Sequence, residues 1–183
     1  GQDLGERQFG PDNPPDLGES LEKRYNLLIK SLRNLNIPVI CAVNGVAAGS
    51  GANIALAADI VIAGVSAKFI QSFCRLGLIP DAGGTWFLPR LVGIARATGL
   101  AMLGEELSAE QAAQWGLIWK CVDDERLMDE AISMAEHLAT QPTYGLGLMK
   151  YALNASARNT LEEQLNLERD LQKLAGQSED YYE

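Results

Sequence analysis

The stretch of sequence that decides the fold is PVICAVNGVAAGSGANIALAADIVIAG, residues 38–64. Two apolar runs, Val39–Val43 and Ile60–Ala63, flank a run of small residues from Ala52 to Ala58. Short apolar runs predict buried strands, and the small residues between them fit a helix that packs closely on those strands. A strand–helix–strand unit joins parallel strands, so the stretch predicts a parallel sheet of the α/β class.

Helices and turns are predicted on both sides of this stretch. The first twenty residues are rich in Gly, Pro and Asp and predict a loop, after which Glu19–Leu35 has the apolar spacing of an amphipathic helix. Further along, Asp81–Thr85 opens a helix that Pro89 is expected to end, and Leu117–Val122 predicts another strand. Ser108 and Gln111 form a capping box that predicts the start of another helix, which Gly116 ends. Three more helices are predicted to begin near Asp124, Pro142 and Thr160. Thr160 forms a second capping box with Glu163.

The strands that can be found in this way number three or four, which is few for a covered parallel sheet. The chain also begins without a methionine, inside a loop-like segment. We therefore expect it to be a fragment of a longer fold whose earlier strands lie outside it.

The composition narrows the class of protein. Apolar residues make up 47% of the 183, enough for a sizeable core within one domain. No apolar run reaches the roughly 18–20 residues of a membrane span, and we expect no secretory leader. The net charge of −9 disfavours a nucleic-acid surface, which needs clustered Lys and Arg. The widely spaced cysteines, Cys41, Cys74 and Cys121, predict a reduced cytosolic protein.

The Gly-rich segment from Gly45 to Gly51 is the first candidate site. Glycines between a strand and a helix let the backbone approach a ligand, and the free N–H groups of a helix start can stabilise an anion. A tight turn with close helix–strand packing explains the same glycines equally well. A dinucleotide site is disfavoured because the spacing is not G-x-G-x-x-G, and a P-loop because no G-K-S/T follows.

Asp81 is the second candidate. Its apolar neighbours, Leu78 to Pro80 and Ala82, disfavour the charged form of a carboxylate and so suit it to proton transfer. The competing interpretation is a helix N-cap, a position that Asp often occupies. The single histidine, His137, lies in a predicted helix, so neither a Ser–His–Asp hydrolase nor a metal site is predicted.

Several stretches resemble the enoyl-CoA hydratase/isomerase (crotonase) family. Residues 38–64 resemble its central signature, and AKFIQSFCRLGLIPDAGGTWFLPRLVG (67–93) resembles the continuation. LSAEQAAQWGLIWKCVDDERL (107–127) resembles the next stretch, and the opening GQDL (1–4) resembles the end of the family's C-A-G-x-D-I/L segment. The resemblance runs in order and nearly from end to end.

This resemblance implies a crotonase-like spiral of ββα turns with a helical C-terminal region that builds trimers. We expect residues 1–123 to form the spiral core without its first turns, and residues 124–183 to form the helical region. The expected partners are an acyl-CoA substrate and further copies of the chain, in a cytoplasmic homotrimer or homohexamer. No nucleic acid, membrane or metal is expected, and no cofactor besides the CoA that the substrate carries.

The resemblance also implies where the site lies. In the family, two backbone N–H groups polarise the thioester carbonyl, and by position they correspond to the amides of Gln2 and Ser50, with Gly51 adjacent. Hydratases of the family carry two glutamates. The matching positions here are Asn53 and Phe73, and neither side chain is an acid or a base.

Asp81 stands where those hydratases have glycine, and a lone carboxylate at this position resembles the isomerase-type members. The resemblance therefore implies that Asp81 is the acid–base residue. Candidates for contact with the substrate are Asn53, Phe73, Trp86, Asp3 and Leu4.

The motif LGLIPDAGGTW and the later QPTYGLGLMK (141–150) resemble members that act in phenylacetate breakdown. The implied reactions are conversion of 1,2-epoxyphenylacetyl-CoA into its oxepin form, and movement of a double bond between positions 3 and 2 of an enoyl-CoA. A hydratase or dehalogenase of the same family is one alternative. A non-catalytic scaffold that binds CoA thioesters is another.

Overall fold

The computed structural model describes residues 14–182, so Gln2, Asp3 and Leu4 lie outside the described residues. The first half contains α1 (Leu17–Ser20), a π-helical stretch (Leu21–Tyr25), α2 (Asn26–Asn34), β1 (Ile40–Val43), β2 (Val46–Ala48), α3 (Ser50–Leu56), β3 (Ile60–Gly64), β4 (Lys68–Ile70) and a 3₁₀ turn (Ser72–Leu76). The second half contains α4 (Gly84–Leu103), β5 (Glu106–Ser108), α5 (Ala109–Gln114), β6 (Lys120–Val122), α6 (Leu127–Ala139), α7 (Thr143–Ser156) and α8 (Leu161–Ala175), with 3₁₀ turns at Asp124–Arg126 and Glu179–Tyr181.

The described strands form two small sheets. One is parallel throughout, in the order β1-β3-β6, with Ile40 opposite Ile60 and Ala63 opposite Cys121. In the other, β2 pairs in parallel with β4, and β4 pairs antiparallel with β5. The chain passes from the first sheet to the second at Asn44 and Gly45, between β1 and β2. The units β1-β2-α3 and β3-β4-α4 each place one strand in either sheet before a helix follows, which is the ββα repeat of a spiral, whereas α5 separates β5 from β6.

The parallel strand–helix–strand unit predicted from residues 38–64 is confirmed by β1, α3 and β3. Three strands, β2, β4 and β5, were not predicted. Each has three residues, which is too short to show the alternation of a half-buried strand. Asn44 and Gly45 form the turn between two strands of different sheets.

The prediction that Pro89 ends a helix is wrong. Helix α4 continues through Pro89, and its one break lies at Gly93, where φ is 78° and ψ is 161°. Ser108 caps α5 as predicted, since its hydroxyl accepts a hydrogen bond from the Gln111 N–H. The capping box of Thr160 and Glu163 is also confirmed, whereas Pro142 is the N-cap of α7 rather than its first helical residue.

The parallel sheet is buried on both faces, as such sheets usually are. On one face, Val61 and Ala63 belong to the main core, which α3 completes with Ala52, Ala55 and Leu56. The other face is covered by α6, where Ile62 packs against Leu127 and Ala131. Because the residues of α3 are small, this helix can lie close to the sheet and bring its first turn to the end of β1.

A group of charged side chains joins helix α7 to the core. Lys150 is 7% exposed, and its ammonium lies 2.7 Å from a carboxylate oxygen of Asp59, just before β3. Lys150 also donates to the carbonyls of Leu32 (2.9 Å) and Ile37 (3.1 Å). We call Arg33, Asp59 and Lys150 the charge cluster. Within residues 14–182, no helix is long and apolar enough to cross a membrane.

Candidate active site

Two adjoining cavities meet at Asp81. The larger, of about 530 Å³, lies between the end of β1, the first turn of α3 and the 3₁₀ turn at 72–76. Ser50, Gly51, Phe73 and Leu78 are among its lining residues. The smaller, of about 200 Å³, lies between the π-helical stretch and the segment from Leu78 to Asp81. Asp81 lines both cavities and is the one carboxylate among the described residues that line either.

The Asp81 carboxylate accepts a hydrogen bond from the Ser50 hydroxyl, with 2.6 Å between Oγ and Oδ1. It does not cap the helix that follows, because the N-cap of α4 is Gly83 and no side chain caps there. The helix-cap interpretation of Asp81 is therefore wrong. Within residues 14–182, no Lys or Arg forms an ion pair with this carboxylate, although seven ion pairs occur elsewhere.

The backbone turns sharply directly after Asp81. Ala82 has a φ of 47° and is buried, and Gly83 has a φ of 84°. A non-glycine residue in the left-handed region is strained, and such residues cluster at functional sites. Gly84 then begins α4, and its N–H donates to the Asp81 carbonyl at 2.8 Å. The turn keeps Asp81 out of the helix and places it at the junction of the two cavities.

Asn53 lies behind Asp81 and does not line either cavity. It is fully buried, and its amide nitrogen donates to the Asp81 carbonyl oxygen at 2.9 Å. Its amide oxygen accepts from the Gln71 side chain at 2.8 Å. The expected substrate contact by Asn53 is therefore not seen, because both polar atoms face the protein. A Cβ atom at Gly84 would lie 2.3 Å from the Asn53 amide nitrogen, so a side chain there would displace the Asn53 amide.

The amides of Ser50 and Gly51 open helix α3 at the wall of the larger cavity. The first N–H groups of a helix have no acceptor within it, so these amides are available to a carbonyl oxygen in the cavity. Gly49, which precedes them, has a φ of 55° and lies against Ser72 and Phe73. The other amide assigned by resemblance, that of Gln2, lies outside the described residues.

The two aromatic candidates differ in position. Phe73 is buried and lines the larger cavity. Trp86 lies on α4 away from the walls of both cavities, with the Arg90 guanidinium 4.3 Å from its ring centroid and an edge-to-face contact with Phe87. In the structure, Trp86 is a packing residue of α4 and lines neither cavity.

Sequence reasoning missed Gln71 and the walls of the smaller cavity. Gln71 is a buried amide directly after β4, and a polar residue amid the apolar run of FIQSF was the available signal. Leu21 and Tyr25 of the π-helical stretch line the smaller cavity. Their facing partners, Ile79 and Pro80, are 57 residues or so further on, and nothing local in the sequence pairs them.

Other potentially reactive groups lie apart from this site or are unsuited to it. His137 is exposed on α6. The three cysteines are free thiols, and burial raises the pKa of Cys41, which lines the larger cavity. The described residues hold no group of three or more His, Cys, Asp or Glu side chains that could bind a metal ion.

The fold and the site define a class of protein. A family model described as enoyl-CoA hydratase/isomerase matches residues 1–183, and the chain belongs to this family. The crotonase-like fold expected from the sequence is therefore confirmed.

Particular relatives refine this assignment. The chain is 62% identical to the 1,2-epoxyphenylacetyl-CoA isomerase of Escherichia coli K12 and 48% identical to a probable enoyl-CoA hydratase of Rhodobacter capsulatus. Each alignment covers 100% of this chain and 70% of the relative. A crystal structure of an enoyl-CoA hydratase/isomerase from Cupriavidus metallidurans CH34 superposes with a TM-score of 0.85 at 37% identity, covering 91% of this chain and 63% of that one.

Proposed function

We propose that the protein is an acyl-CoA isomerase that works through an enolate, with Asp81 as its acid–base residue. The observation that carries this proposal is that a single carboxylate lies where two cavities meet. Water addition in this family uses two acid–base side chains, but the corresponding positions hold a buried amide, Asn53, and a buried ring, Phe73. One carboxylate can take a proton from one carbon and return it to another, which is the requirement of an isomerase.

The proposed mechanism begins with the thioester carbonyl in the larger cavity. The Ser50 amide donates to its oxygen, together with the Gln2 amide that the family resemblance assigns. These donors stabilise the negative charge that develops when a neighbouring C–H bond breaks, and one such donor contributes about 2.7–4 kcal/mol to the transition state.

Asp81 then moves the proton. With a 3-enoyl-CoA, its carboxylate removes a proton from C2, and the electron pair spreads over the thioester and the double bond. The same carboxyl group returns the proton to C4, which leaves a 2-enoyl-CoA of unchanged composition. The chain's own groups complete this cycle, so we propose that it needs no metal and no cofactor besides the CoA of the substrate.

The substrate that we propose is 1,2-epoxyphenylacetyl-CoA, with 3-enoyl-CoA as a second. The name of the E. coli relative supports the first of these. The smaller cavity supports it too, since about 200 Å³ lined by Leu17, Leu21, Tyr25 and Ile79 suits an apolar ring next to Asp81. The thioester would then lie in the larger cavity and the ring in the smaller one.

Turnover with product identification tests this proposal. Wild type and Asp81→Asn of the full-length protein are each given 1,2-epoxyphenylacetyl-CoA and 3-enoyl-CoA, and the products are identified by chromatography and mass spectrometry. We expect isomers of unchanged mass from the wild type and loss of turnover in the variant. A 2-enoyl-CoA is offered in parallel, because water adds across a double bond next to the thioester. A product heavier by one water from it would indicate a hydratase, the activity named for the R. capsulatus relative. Binding of CoA thioesters without any turnover would indicate a scaffold.

We propose further that the protein is a homotrimer, or a hexamer of two trimers, in the cytoplasm. The apolar side chains exposed on the C-terminal helices, among them Tyr151, Leu153 and Leu161, support a subunit interface there. Three unpaired cysteines suit a reducing compartment. Sedimentation of wild type and Leu153→Glu tests the assembly: a trimer that the variant dissociates supports it, and a wild-type monomer contradicts it.

A further inference from the structure

Two hydrogen bonds join the first turn of α3 to Asp81. The Ser50 hydroxyl donates to the carboxylate at 2.6 Å, and the Asn53 amide donates to the backbone carbonyl of the same residue at 2.9 Å. Ser50 and Asn53 are three residues apart in a helix, so their side chains lie on one face. One turn of helix therefore holds Asp81 at both its side chain and its backbone.

The bond from Ser50 selects between the two carboxylate oxygens. Oδ1 accepts the hydroxyl hydrogen, and no donor within residues 14–182 bonds to Oδ2, which is therefore the oxygen open to a proton from a substrate. A hydrogen bond to a charged acceptor is shorter and stronger than a neutral one, so it also limits rotation of the carboxylate. Without this bond, the carboxylate would have several orientations available within the cavities.

The bond from Asn53 acts on the strained turn. Ala82 and Gly83, directly after Asp81, both have positive φ, and a strained turn persists only where its surroundings hold it. The Asp81 carbonyl accepts from both the Asn53 side chain and the Gly84 N–H, at 2.9 and 2.8 Å. Gln71 in turn fixes the Asn53 amide at 2.8 Å. Asn53, Gly84 and Gln71 are all buried.

We infer that Ser50, through its hydroxyl, and Asn53, supported by Gln71, are positioning residues that hold Asp81 at a fixed place relative to the amides of α3. This inference rests on the proposed function. It assigns two tasks to the same turn of α3: the backbone amide of Ser50 donates to the thioester oxygen, and the side chains of Ser50 and Asn53 hold the acid–base residue. The distance between these two parts of the site is thereby set within one rigid element. Asn53 thus occupies the hydratase glutamate position without being an acid or base.

The test uses two variants. Ser50→Ala removes the hydroxyl and keeps the backbone N–H, and Asn53→Leu keeps the branched shape of the side chain but removes its hydrogen bonds. We expect each to lower kcat by roughly 10-fold or more, the change in rate that corresponds to losing one hydrogen bond to a charged or buried group. KM should change much less than kcat, since Asn53 lines neither cavity, and since the Ser50 hydroxyl bonds to Asp81 while the Ser50 backbone N–H is kept in the variant. Gln71→Met, which acts one bond further away, should lower kcat by a smaller factor.

Leu56→Ala is the control for stability. Leu56 is a buried core residue of the same helix that is remote from Asp81 in the hydrogen-bond network. We expect this variant to lower Tm at least as much as Asn53→Leu while its kcat stays close to that of the wild type. If kcat instead falls in proportion to Tm across all four variants, Ser50 and Asn53 have a structural role alone, and the inference is wrong.

Wild type and Asp81→Asn are run in the same assay to separate two kinds of failure. If Asp81→Asn keeps its turnover, the proposed function fails. If Asp81→Asn loses turnover while Ser50→Ala and Asn53→Leu keep the wild-type kcat, the proposed function stands and the positioning role is overturned. Ser50→Ala is the variant least able to disturb folding, since Ser50 is half-buried and lines a cavity.

Discussion

Asp59 and Asp81 are both half-buried aspartates that follow apolar segments, yet their surroundings are opposite. Asp59 is paired with the Lys150 ammonium at 2.7 Å and the Arg33 guanidinium at 3.6 Å, and it accepts the Val39 N–H at 2.8 Å. Asp81 accepts one neutral hydroxyl and faces two cavities. Both carboxylate oxygens of Asp59 are bonded within the protein. The Asp81 carboxylate has one hydrogen bond within the described residues, through Oδ1, and its other oxygen is open to the cavities.

The difference separates a structural carboxylate, Asp59, from Asp81, the carboxylate that we propose to be reactive. The charge cluster links α2, the start of β1, the loop before β3 and helix α7. Arg33 also bonds to Asn154 on α7 and lies over the Phe87 ring, and burial lowers the pKa of its guanidinium while Asp59 opposes that shift. Buried polar groups of this kind stabilise the fold only when each of them has its hydrogen-bond partner. Asp81 instead has its backbone fixed and its carboxylate open.

The largest expected effect on stability comes from breaking the charge cluster. Lys150→Met leaves Asp59 without its closest cation and two backbone carbonyls without their donor. Loss of one partner of a buried pair costs about 3–5 kcal/mol. We expect chemical denaturation to show a loss of this order in the free energy of unfolding. A loss below about 1 kcal/mol, the size for an exposed ion pair, would show that Asp59 is solvated and would weaken the comparison.

The double variant Lys150→Met with Asp59→Asn sharpens the same point. Removing both charges avoids an unpaired carboxylate, so the loss should be smaller than the sum of the two single losses. Four denaturation curves, for the wild type, both single variants and the double variant, measure this difference. Additive losses would mean that Lys150 and Asp59 act independently despite their 2.7 Å separation.

Gly84→Ala is expected to disturb the position of Asp81. The added Cβ would lie 2.3 Å from the Asn53 amide nitrogen, so the amide must leave the Asp81 carbonyl. Overpacking of this kind costs about 1–3 kcal/mol, and we expect kcat to fall as well. Gly99→Ala, in the segment of α4 beyond the break at Gly93, is the control, because nothing lies within 4 Å of its added Cβ. Equal kcat in the two variants would argue against the role of the Asn53 bond.

The smallest effect concerns a third carboxylate, Glu163, which is exposed at the start of α8. Hydrogen bonds from the Thr160 N–H and hydroxyl hold its pKa below the usual value. A lowered pKa in the folded state means that the stabilisation is present above the unfolded pKa and is lost as pH falls through the folded one. The difference in Tm between wild type and Glu163→Gln should therefore shrink between pH 7 and pH 3. A difference that stays constant over this range would contradict the capping-box assignment.

Features that depend on residues close together in the sequence could be predicted from it, whereas contacts between distant residues could not. The unit β1–α3–β3 and the caps Ser108 and Thr160 depend on neighbouring residues, and they were predicted correctly. The family resemblance assigned roles to Asp81 and Ser50, and the structure places both at the larger cavity; the roles themselves stay predictions. The hydrogen bond between them spans 31 residues, and that from Asn53 to Asp81 spans 28, so local patterns could not reveal it.

Two errors have local physical causes. Pro89 was expected to end a helix, but α4 contains it and breaks at Gly93 instead. Asp81 was open to interpretation as a cap because Asp precedes many helices, whereas two residues with positive φ separate it from the helix start. The assignment of residues 1–123 and 124–183 to a core and a helical region stays a prediction. Helix α6 belongs to the second part, yet it covers one face of the central sheet.

The most direct test compares Asp81→Asn with Asp59→Asn in the full-length protein, with kcat and the free energy of unfolding measured for both. We expect Asp81→Asn to lower kcat by about 100- to 10,000-fold, the usual contribution of an acid–base residue, with little change in stability. Asp59→Asn should lower stability while the folded protein keeps its kcat. A stable Asp81→Asn variant with wild-type turnover would contradict the account, and Asp81 would then be one more structural aspartate.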